Sequence, residues 1–126
     1  MACALLLHES QVDAAEVSRM RLSCTDVFLS GCYTGWRPMK VGGLVLEGDD
    51  ILGLPGAFLE AGARAVIVSL TPADDRAARE LAVQYHRGRL AGAAPMEALA
   101  RAQQAQLGER KIPEWAWAGF VAYACD

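Results

Sequence analysis

The sequence lacks a hydrophobic run long enough to cross a membrane, because a transmembrane helix needs about 20 consecutive apolar residues. The apolar N-terminal segment "ACALLL" has no basic residue before it and is followed at once by His8, Glu9 and Ser10. It therefore does not fit a secretory signal peptide. We expect a cytoplasmic protein with no membrane partner.

An excess of positive charge is also missing. The 126 residues carry a formal net charge of −3, and the basic side chains are spread along the chain. This charge argues against nucleic acid as a principal partner.

Cysteine is scarce and shows no metal-binding pattern. The four cysteines have no CxxC spacing and no histidine at a zinc-ligand distance, so we predict neither a metal site nor a cofactor. Without an export signal, we expect reduced thiols rather than disulfides. The cysteines are Cys3, Cys24, Cys32 and Cys125.

The length and the 53% hydrophobic content predict a single domain, residues 1–126, with a core of its own. Two continuous apolar runs, "TDVFLSG" and "RAVIVSL", are typical of strands covered on both faces. Predicted helices alternate with these strands. The pattern indicates an α/β fold with a mainly parallel sheet.

The remaining elements follow from turn and capping signals. "CALLL" is predicted as a strand or hairpin arm, 12–20 as a helix with Ser10 as its N-cap, and "YTGWRPMKVGG" as a loop. "GDDILGLPGAFLEAGA" is predicted as a helix capped by Asp49 or Asp50 and ended at Gly62, with a kink or late start at Pro55.

Two helices and a strand are predicted in the C-terminal half. The first helix has Thr71 or Asp74 near its cap and stops at Gly92, and the second begins at Pro95. "PEWAWAGFVAYAC" is predicted as a turn into a last strand. The second helix is expected to present one face made of Met96, Leu99, Ala100, Gln103 and Leu107.

The segment "DVFLSGCYTG" carries the clearest chemical signal. Reactive groups of open α/β sheets lie beyond the carboxyl ends of the strands, and Cys32 stands there, beside a glycine that permits a sharp turn. An unpaired cysteine after an apolar strand is also often a core residue. Spacing alone does not separate a nucleophile from a buried thiol.

Several ordered motifs resemble the CHAT domain, a caspase-like cysteine peptidase module. "VFLSGCYTG" is similar to its "LSACxTG" strand and turn, "AGARAVIVSLTPADD" to its strand ending in "SLWPVDD", and "WAWAGF" to its closing Trp-Ala-x-Phe strand. The resemblance extends from about Ala4 to the end of the chain. It implies a caspase-like three-layer fold, endopeptidase activity and a protein or peptide substrate or partner.

The resemblance also implies site residues. Cys32 would be the nucleophile, its backbone amide and that of Gly31 would form the oxyanion hole, and Ser30 and Tyr33 would line the substrate pocket. Asp74 and Asp75 match the paired acids of the family, although helix capping also explains them. Tyr33 stands where an acidic residue is common, and Thr71 replaces a tryptophan of the family.

The catalytic histidine of the family precedes the cysteine by several dozen residues. The chain resembles the part that follows that histidine, so we expect the N-terminal strands of the family to be lacking and the base to lie outside this chain. His8, near Glu9, is a substitute candidate, although a histidine in a hairpin is more often a surface or capping residue. His86 is expected to be a packing or surface residue.

A cysteine without a base keeps a pKa near about 8.5 and is a poor nucleophile at neutral pH. We therefore expect the chain alone to be inactive, as a fragment, as one half of a split protein, or as a degenerate relative. The alternative function is a non-catalytic interaction module on the same fold. In each case, an unpaired strand edge favours a homo-oligomer or a complementing chain.

Overall fold

A computed structural model describes residues 4–6, 9–23, 26–30, 40–41, 44–45, 53–108 and 112–124. Seven strands and four helices occur in these ranges. In chain order they are β1 Ala4–Leu6, β2 Gln11–Asp13, α1 Ala14–Ser18, β3 Asp26–Phe28, β4 Lys40–Val41, β5 Leu44–Val45, α2 Gly53–Glu60, β6 Ala65–Ser69, α3 Asp75–Leu90, α4 Pro95–Gly108 and β7 Phe120–Ala124. A 3₁₀ turn, Glu114–Ala116, precedes β7.

The main sheet has the strand order β3-β6-β7. β3 runs parallel to β6, with Val27 opposite Val66, whereas β7 runs antiparallel to β6, with Tyr123 opposite Val66. The described sheet is therefore mixed, and the prediction of a mainly parallel sheet holds only for the β3–β6 pair. The reason is the α3–α4 hairpin between β6 and β7: two antiparallel helices return the chain to the end of the sheet where β6 stopped, so β7 must run back.

Helices cover both faces of the sheet. On one face, Tyr85 and Leu81 of α3 and Leu99 of α4 are buried in one cluster with Ile67. On the other face, Phe58 and Leu59 of α2 pack against a cluster that includes Val66 and Val68. All five residues of β6 are buried because this strand is central and covered on both sides. The chain is thus an α/β domain, as the apolar runs predicted.

The first helix differs from the prediction. Residues 11–13 form β2, which pairs antiparallel with β1, and α1 is only five residues long. Its N-cap is Asp13 rather than Ser10, because the Glu16 N–H donates to Asp13 Oδ1 over 2.8 Å and the Asp13 N–H donates to Glu16 Oε2 over 2.9 Å. This reciprocal capping box places the N-cap three residues later than predicted.

The end of α2 and both limits of α3 agree with the turn signals. The described part of α2 is Gly53–Glu60, with Pro55 at its third residue. Gly62, with φ of +111°, follows the helix end. α3 is capped by Asp74, one of the two predicted caps, and Gly92 with φ of +94° follows it. Asp49 and Asp50 lie outside the described residues.

Part of the predicted loop "YTGWRPMKVGG" is paired instead. Lys40 and Val41 form β4, which pairs antiparallel with Leu44 and Val45 of β5. The sequence signal for a loop came from proline and glycine, yet two glycines between short apolar segments also suit a hairpin turn.

The predicted face of α4 is only partly correct. Leu99 is 5% exposed, but Met96 and Leu107 are 62% and 59% exposed. Ala98, Ala102 and Gln106 are buried in their place. A Cβ added to Gly88 would lie 3.2 Å from the Ala98 Cβ, so small residues bring the two helices together. This close contact turns the larger Met96 and Leu107 side chains towards solvent.

Candidate functional site

The carboxyl ends of β3 and β6 lie side by side and define the carboxyl end of the sheet. The Leu29 N–H donates to the Ile67 carbonyl over 2.8 Å, which continues the β3 register and brings exposed Ser30 level with buried Ser69. Ser30 is therefore placed where reactive groups of α/β sheets occur. Cys32 follows two residues later and lies outside the described residues, as do His8, Gly31 and Tyr33.

A tight turn shapes the exit of β6. The Ser69 hydroxyl donates to the Thr71 carbonyl over 2.6 Å, and the Thr71 N–H donates back to the Ser69 oxygen over 3.4 Å. The Leu70 N–H donates to the Gly119 carbonyl over 2.9 Å. A Cβ on Gly119 would lie 1.9 Å from Thr71 Oγ1, so only glycine allows this approach. The start of β7 is thereby held against the turn.

An open cavity of about 550 Å³ lies beside this turn. Its wall consists of Thr71, Pro72, Trp115, Ala118 and Gly119. Trp115 is 62% exposed, which leaves its ring available to a ligand. Neighbouring strands are about 4.8 Å apart, so the β7 side of the sheet lies about 10 Å from the end of β3. This distance is within the span of a short bound peptide.

The sequence reasoning missed Trp115 as a wall residue. "WAWAGF" resembles the closing strand of the family, but a tryptophan in a polar turn, next to Pro113 and Glu114, is also a signal of exposed aromatic surface. Thr71, which the resemblance marked as a departure from the family, does line the cavity.

The paired acids lie at the start of α3. Asp74 Oδ1 accepts a hydrogen bond from the Ala77 N–H over 2.9 Å, so Asp74 caps the helix. Asp75 is exposed in the first turn, where a negative charge suits the helix dipole. Helix capping therefore accounts for Asp74. A role of Asp74 and Asp75 in a substrate pocket stays a prediction.

The amino end of β3 is held by a partly buried ion pair that no local sequence pattern indicates. Arg89 Nε donates to Asp26 Oδ2 over 2.6 Å, and Arg89 Nη2 donates to Asp26 Oδ1 over 3.1 Å. The Tyr85 hydroxyl donates to the same Oδ2 over 2.8 Å. Arg89 Nη1 also donates to the Ala93 carbonyl over 2.6 Å. These bonds connect β3 to α3 and to the α3–α4 turn.

The pKa values follow from these contacts. Burial by itself raises the pKa of Asp26, but the hydrogen bonds from Arg89 and Tyr85 outweigh it and hold that pKa below its ordinary value. Burial and the bond to Asp26 raise the pKa of Tyr85. The bond to Asp26 likewise raises the pKa of Arg89. Asp26 is therefore ionised at neutral pH and Tyr85 is protonated.

His86 is an exposed residue of α3 whose ring lies against two aromatic rings. Its ring centroid is 6.0 Å from that of Phe28, the last residue of β3, and 5.2 Å from that of Tyr85. The interpretation of His86 as a packing or surface residue is confirmed.

The described residues include no group of three or more histidine, cysteine, aspartate or glutamate side chains placed to hold a metal ion. Within the same residues, every helix is too short or too polar to cross a bilayer.

These features define an α/β domain with an open cavity at the carboxyl end of its sheet. A family model described as the CHAT domain matches residues 1–124. The chain therefore belongs to the CHAT domain family, and the resemblance seen in its motifs is confirmed. No curated protein matches the chain.

Proposed function

We propose that the chain is a segment of a caspase-like cysteine endopeptidase in which Cys32 is the nucleophile. The observation that carries this proposal is the parallel register of β3 and β6. It brings Ser30 and the Ser69–Thr71 turn to one end of the sheet, next to an open cavity. Position 32 follows Ser30 by two residues, and family membership supports the same assignment.

In the proposed reaction, the Cys32 thiolate attacks the carbonyl carbon of the scissile peptide bond. A carbon–sulfur bond forms and the carbonyl electrons move to oxygen, where the amides of Gly31 and Cys32 would stabilise the charge. Collapse of this intermediate breaks the carbon–nitrogen bond, the leaving amine takes a proton from the general acid, and water then hydrolyses the thioester.

The thiolate needs a base, and His86, whose ring lies against Phe28 and Tyr85, suits a packing residue. We propose that the base is a histidine outside residues 1–126, as the resemblance implies. His8 is the substitute candidate within the chain. With neither in place, only a few per cent of the thiol is ionised at neutral pH.

The cavity supports a pocket for a substrate side chain near the scissile bond. Thr71, Pro72 and Trp115 offer a largely apolar wall, and Trp115 offers a flat ring for stacking. Cleavage of a peptide with an apolar or aromatic side chain beside the scissile bond suits such a wall better than cleavage beside a charged one.

Alkylation measured at each cysteine against pH, by mass spectrometry, tests the assignment. A Cys32 that reacts with an apparent pKa well below about 8.5 has a base or a positive charge beside it. His8→Gln would then raise that pKa if His8 is the base. Cys3, Cys24 and Cys125 are internal controls in the same sample. A Cys32 that reacts like the other three contradicts a working site in the isolated chain.

A second candidate is a non-catalytic interaction module, and the position of β3 favours it. Among the described strands, β3 pairs only with β6. Because Leu29 directs its N–H towards β6, the alternating backbone directs the Ser30 N–H to the outer side of β3. A second copy, or a complementing chain, could add a strand on that side.

Two variants of one exposed residue test strand addition. Ser30→Pro removes the outward N–H and leaves the bonds to β6, whereas Ser30→Ala keeps the N–H and is the matched control. We expect light scattering to show a dimer for the native chain and for Ser30→Ala, and a monomer for Ser30→Pro. A native chain that is monomeric at high concentration contradicts self-association through β3.

A further inference from the structure

A cleft between α3 and α4 carries positive charge in a chain whose net charge is −3. Arg76, Arg79 and Arg87 line it from α3, and Gln106 lines it from α4. Its volume is about 640 Å³, enough for a few residues of an extended peptide. We call this feature the α3–α4 cleft. It makes no use of Cys32 or of the cavity beside Thr71.

Within the described part of the chain, two of the three arginines have no acidic partner. Arg76 forms an ion pair with Glu80, Nε to Oε1 over 3.2 Å, one helical turn away. Among the described residues, no carboxylate pairs with Arg79 or Arg87, and both are exposed. They are therefore the charges of the cleft that an anionic ligand can engage without breaking an existing ion pair.

The spacing along α3 matches an extended chain. Arg79, Val83 and Arg87 follow each other at intervals of four residues, which a helix rise of 1.5 Å places about 6 Å apart along one ridge. Alternate side chains of an extended strand lie about 6.6 Å apart on one side. Val83 is 43% exposed, so it offers an apolar contact between the two charges.

Gln106 supplies an independent observation. Its side chain is 96% buried at the cleft, and Oε1 has no hydrogen-bond partner among the described residues. A buried acceptor without a donor is unfavourable. Because Gln106 lines the cleft, we infer that the backbone N–H of a bound segment can supply the donor that this oxygen lacks.

We propose that the α3–α4 cleft binds an extended acidic segment of a partner protein. Its pattern is acidic–x–apolar–x–acidic, with the acids on Arg79 and Arg87, the apolar side chain on Val83 and one backbone N–H on Gln106. A peptide fits better than a nucleic acid, because a phosphate backbone has no apolar group for Val83.

Fluorescence anisotropy with the full chain and a labelled peptide Gly-Asp-Ser-Leu-Ser-Asp-Gly tests the proposal. The control Gly-Asp-Ser-Leu-Asp-Ser-Gly has the same composition but brings the acids three residues apart. One exposed ion pair contributes up to about a fivefold change in affinity. We therefore expect the first peptide to bind about fivefold more tightly, and less tightly at high salt.

Charge variants locate the site. Arg79→Gln and Arg87→Gln are each expected to weaken the first peptide about threefold to fivefold, and the double variant by about tenfold. Arg64→Gln, at another exposed arginine, is the matched control and should change nothing. Gln106→Leu should weaken binding while the melting temperature stays equal or rises, because it removes a buried unpaired oxygen.

Four results would overturn the proposal. They are no peptide binding at millimolar concentration, equal binding of the two peptides, unchanged binding in the double arginine variant, or a labelled single-stranded oligonucleotide that binds more tightly and depends on the same two arginines. The last result would assign the cleft to nucleic acid.

Discussion

The two ends of β3 are built in opposite ways. At the amino end, Asp26 accepts three hydrogen bonds from Arg89 and Tyr85, and its side chain is only 6% exposed. At the carboxyl end, Ser30 is exposed and is followed by the proposed nucleophile. A strand anchored by buried charge at one end can present the other end to a ligand without losing its position. Functional residues commonly lie on segments held by such a rigid scaffold.

The carboxyl end of β6 combines a fixed backbone with an open surface. The turn after Ser69 is fixed by the contact of Thr71 with Gly119, yet the cavity beside it stays open and carries exposed Trp115. Rigid backbone and open surface therefore occur together at the carboxyl end of the sheet. Stability and ligand binding should respond to different substitutions.

The largest expected effect is at the anchored end. Asp26→Ala leaves Arg89 and Tyr85 without their shared acceptor, and removing one partner of a buried ion pair costs about 3 kcal/mol. The free energy of unfolding from urea denaturation measures this loss. A cost below about 1 kcal/mol would contradict the description of Asp26 as an anchor.

A somewhat smaller effect is expected at the turn beside the cavity. Gly119→Ala adds a methyl group 1.9 Å from Thr71 Oγ1, and such overpacking costs about 2 kcal/mol. The double variant with Thr71→Ala should lose less than the sum of the two single variants, because the colliding oxygen is gone. Gly108→Ala is the control, since nothing lies within 4 Å of its new methyl group.

The loss of a single hydrogen bond should have the next smaller effect on the free energy of unfolding. Tyr85→Phe removes the 2.8 Å bond to Asp26 but leaves both Arg89 bonds and the contact with the Phe28 ring. We expect a loss of about 1 kcal/mol in urea denaturation. A loss equal to that of Asp26→Ala would mean that Tyr85, and not Arg89, is the main partner.

The pH dependence of stability reports the same anchor. The folded-state pKa of Asp26 is lowered below its unfolded value of about 3.9, so its contribution is present above that pH and is lost as the pH falls through the folded pKa. The difference in unfolding free energy between the native chain and Asp26→Asn should therefore be constant from about pH 7 to 5 and shrink below about pH 4. A difference that grows on acidification would contradict the lowered pKa.

The smallest effect is expected at the open end. Ser30→Ala changes an exposed side chain and should alter the free energy of unfolding by less than about 0.5 kcal/mol. The same urea experiment measures it beside Asp26→Ala. A loss comparable with that of Asp26→Ala would remove the contrast between the two ends of β3.

Local signals predicted a large part of the fold. The uninterrupted apolar run of β6 indicated a central buried strand, and Asp74 and Gly92 marked the start and end of α3. α1 was misplaced because Ser10 and Asp13 are both good caps, and only the bonds of β2 with β1 decide between them. Capping residues indicate where a helix can begin, and strand pairing determines which of the possible helix starts is used.

Part of the candidate site could also be predicted. Ser30 was assigned to the end of β3 from the apolar run before it, and the structure describes it there. The wall of Thr71 and Trp115 could not be derived, because it joins residues 44 positions apart through the close approach of Gly119. The anchor of Asp26 on Arg89 joins residues 63 positions apart, which no periodicity reports.

The sequence by itself determined the α/β class, the central strand, the main helix limits and the family, since these depend on apolar runs, caps and motifs that are local in the chain. The tertiary structure alone decided the direction of β7, the buried face of α4, the ion pair that anchors β3 and the cleft whose Arg79 and Arg87 have no acidic partner among the described residues. These features depend on contacts between residues that are far apart in the sequence. Such contacts are fixed by burial and hydrogen bonding, which are complete only when the whole domain has folded.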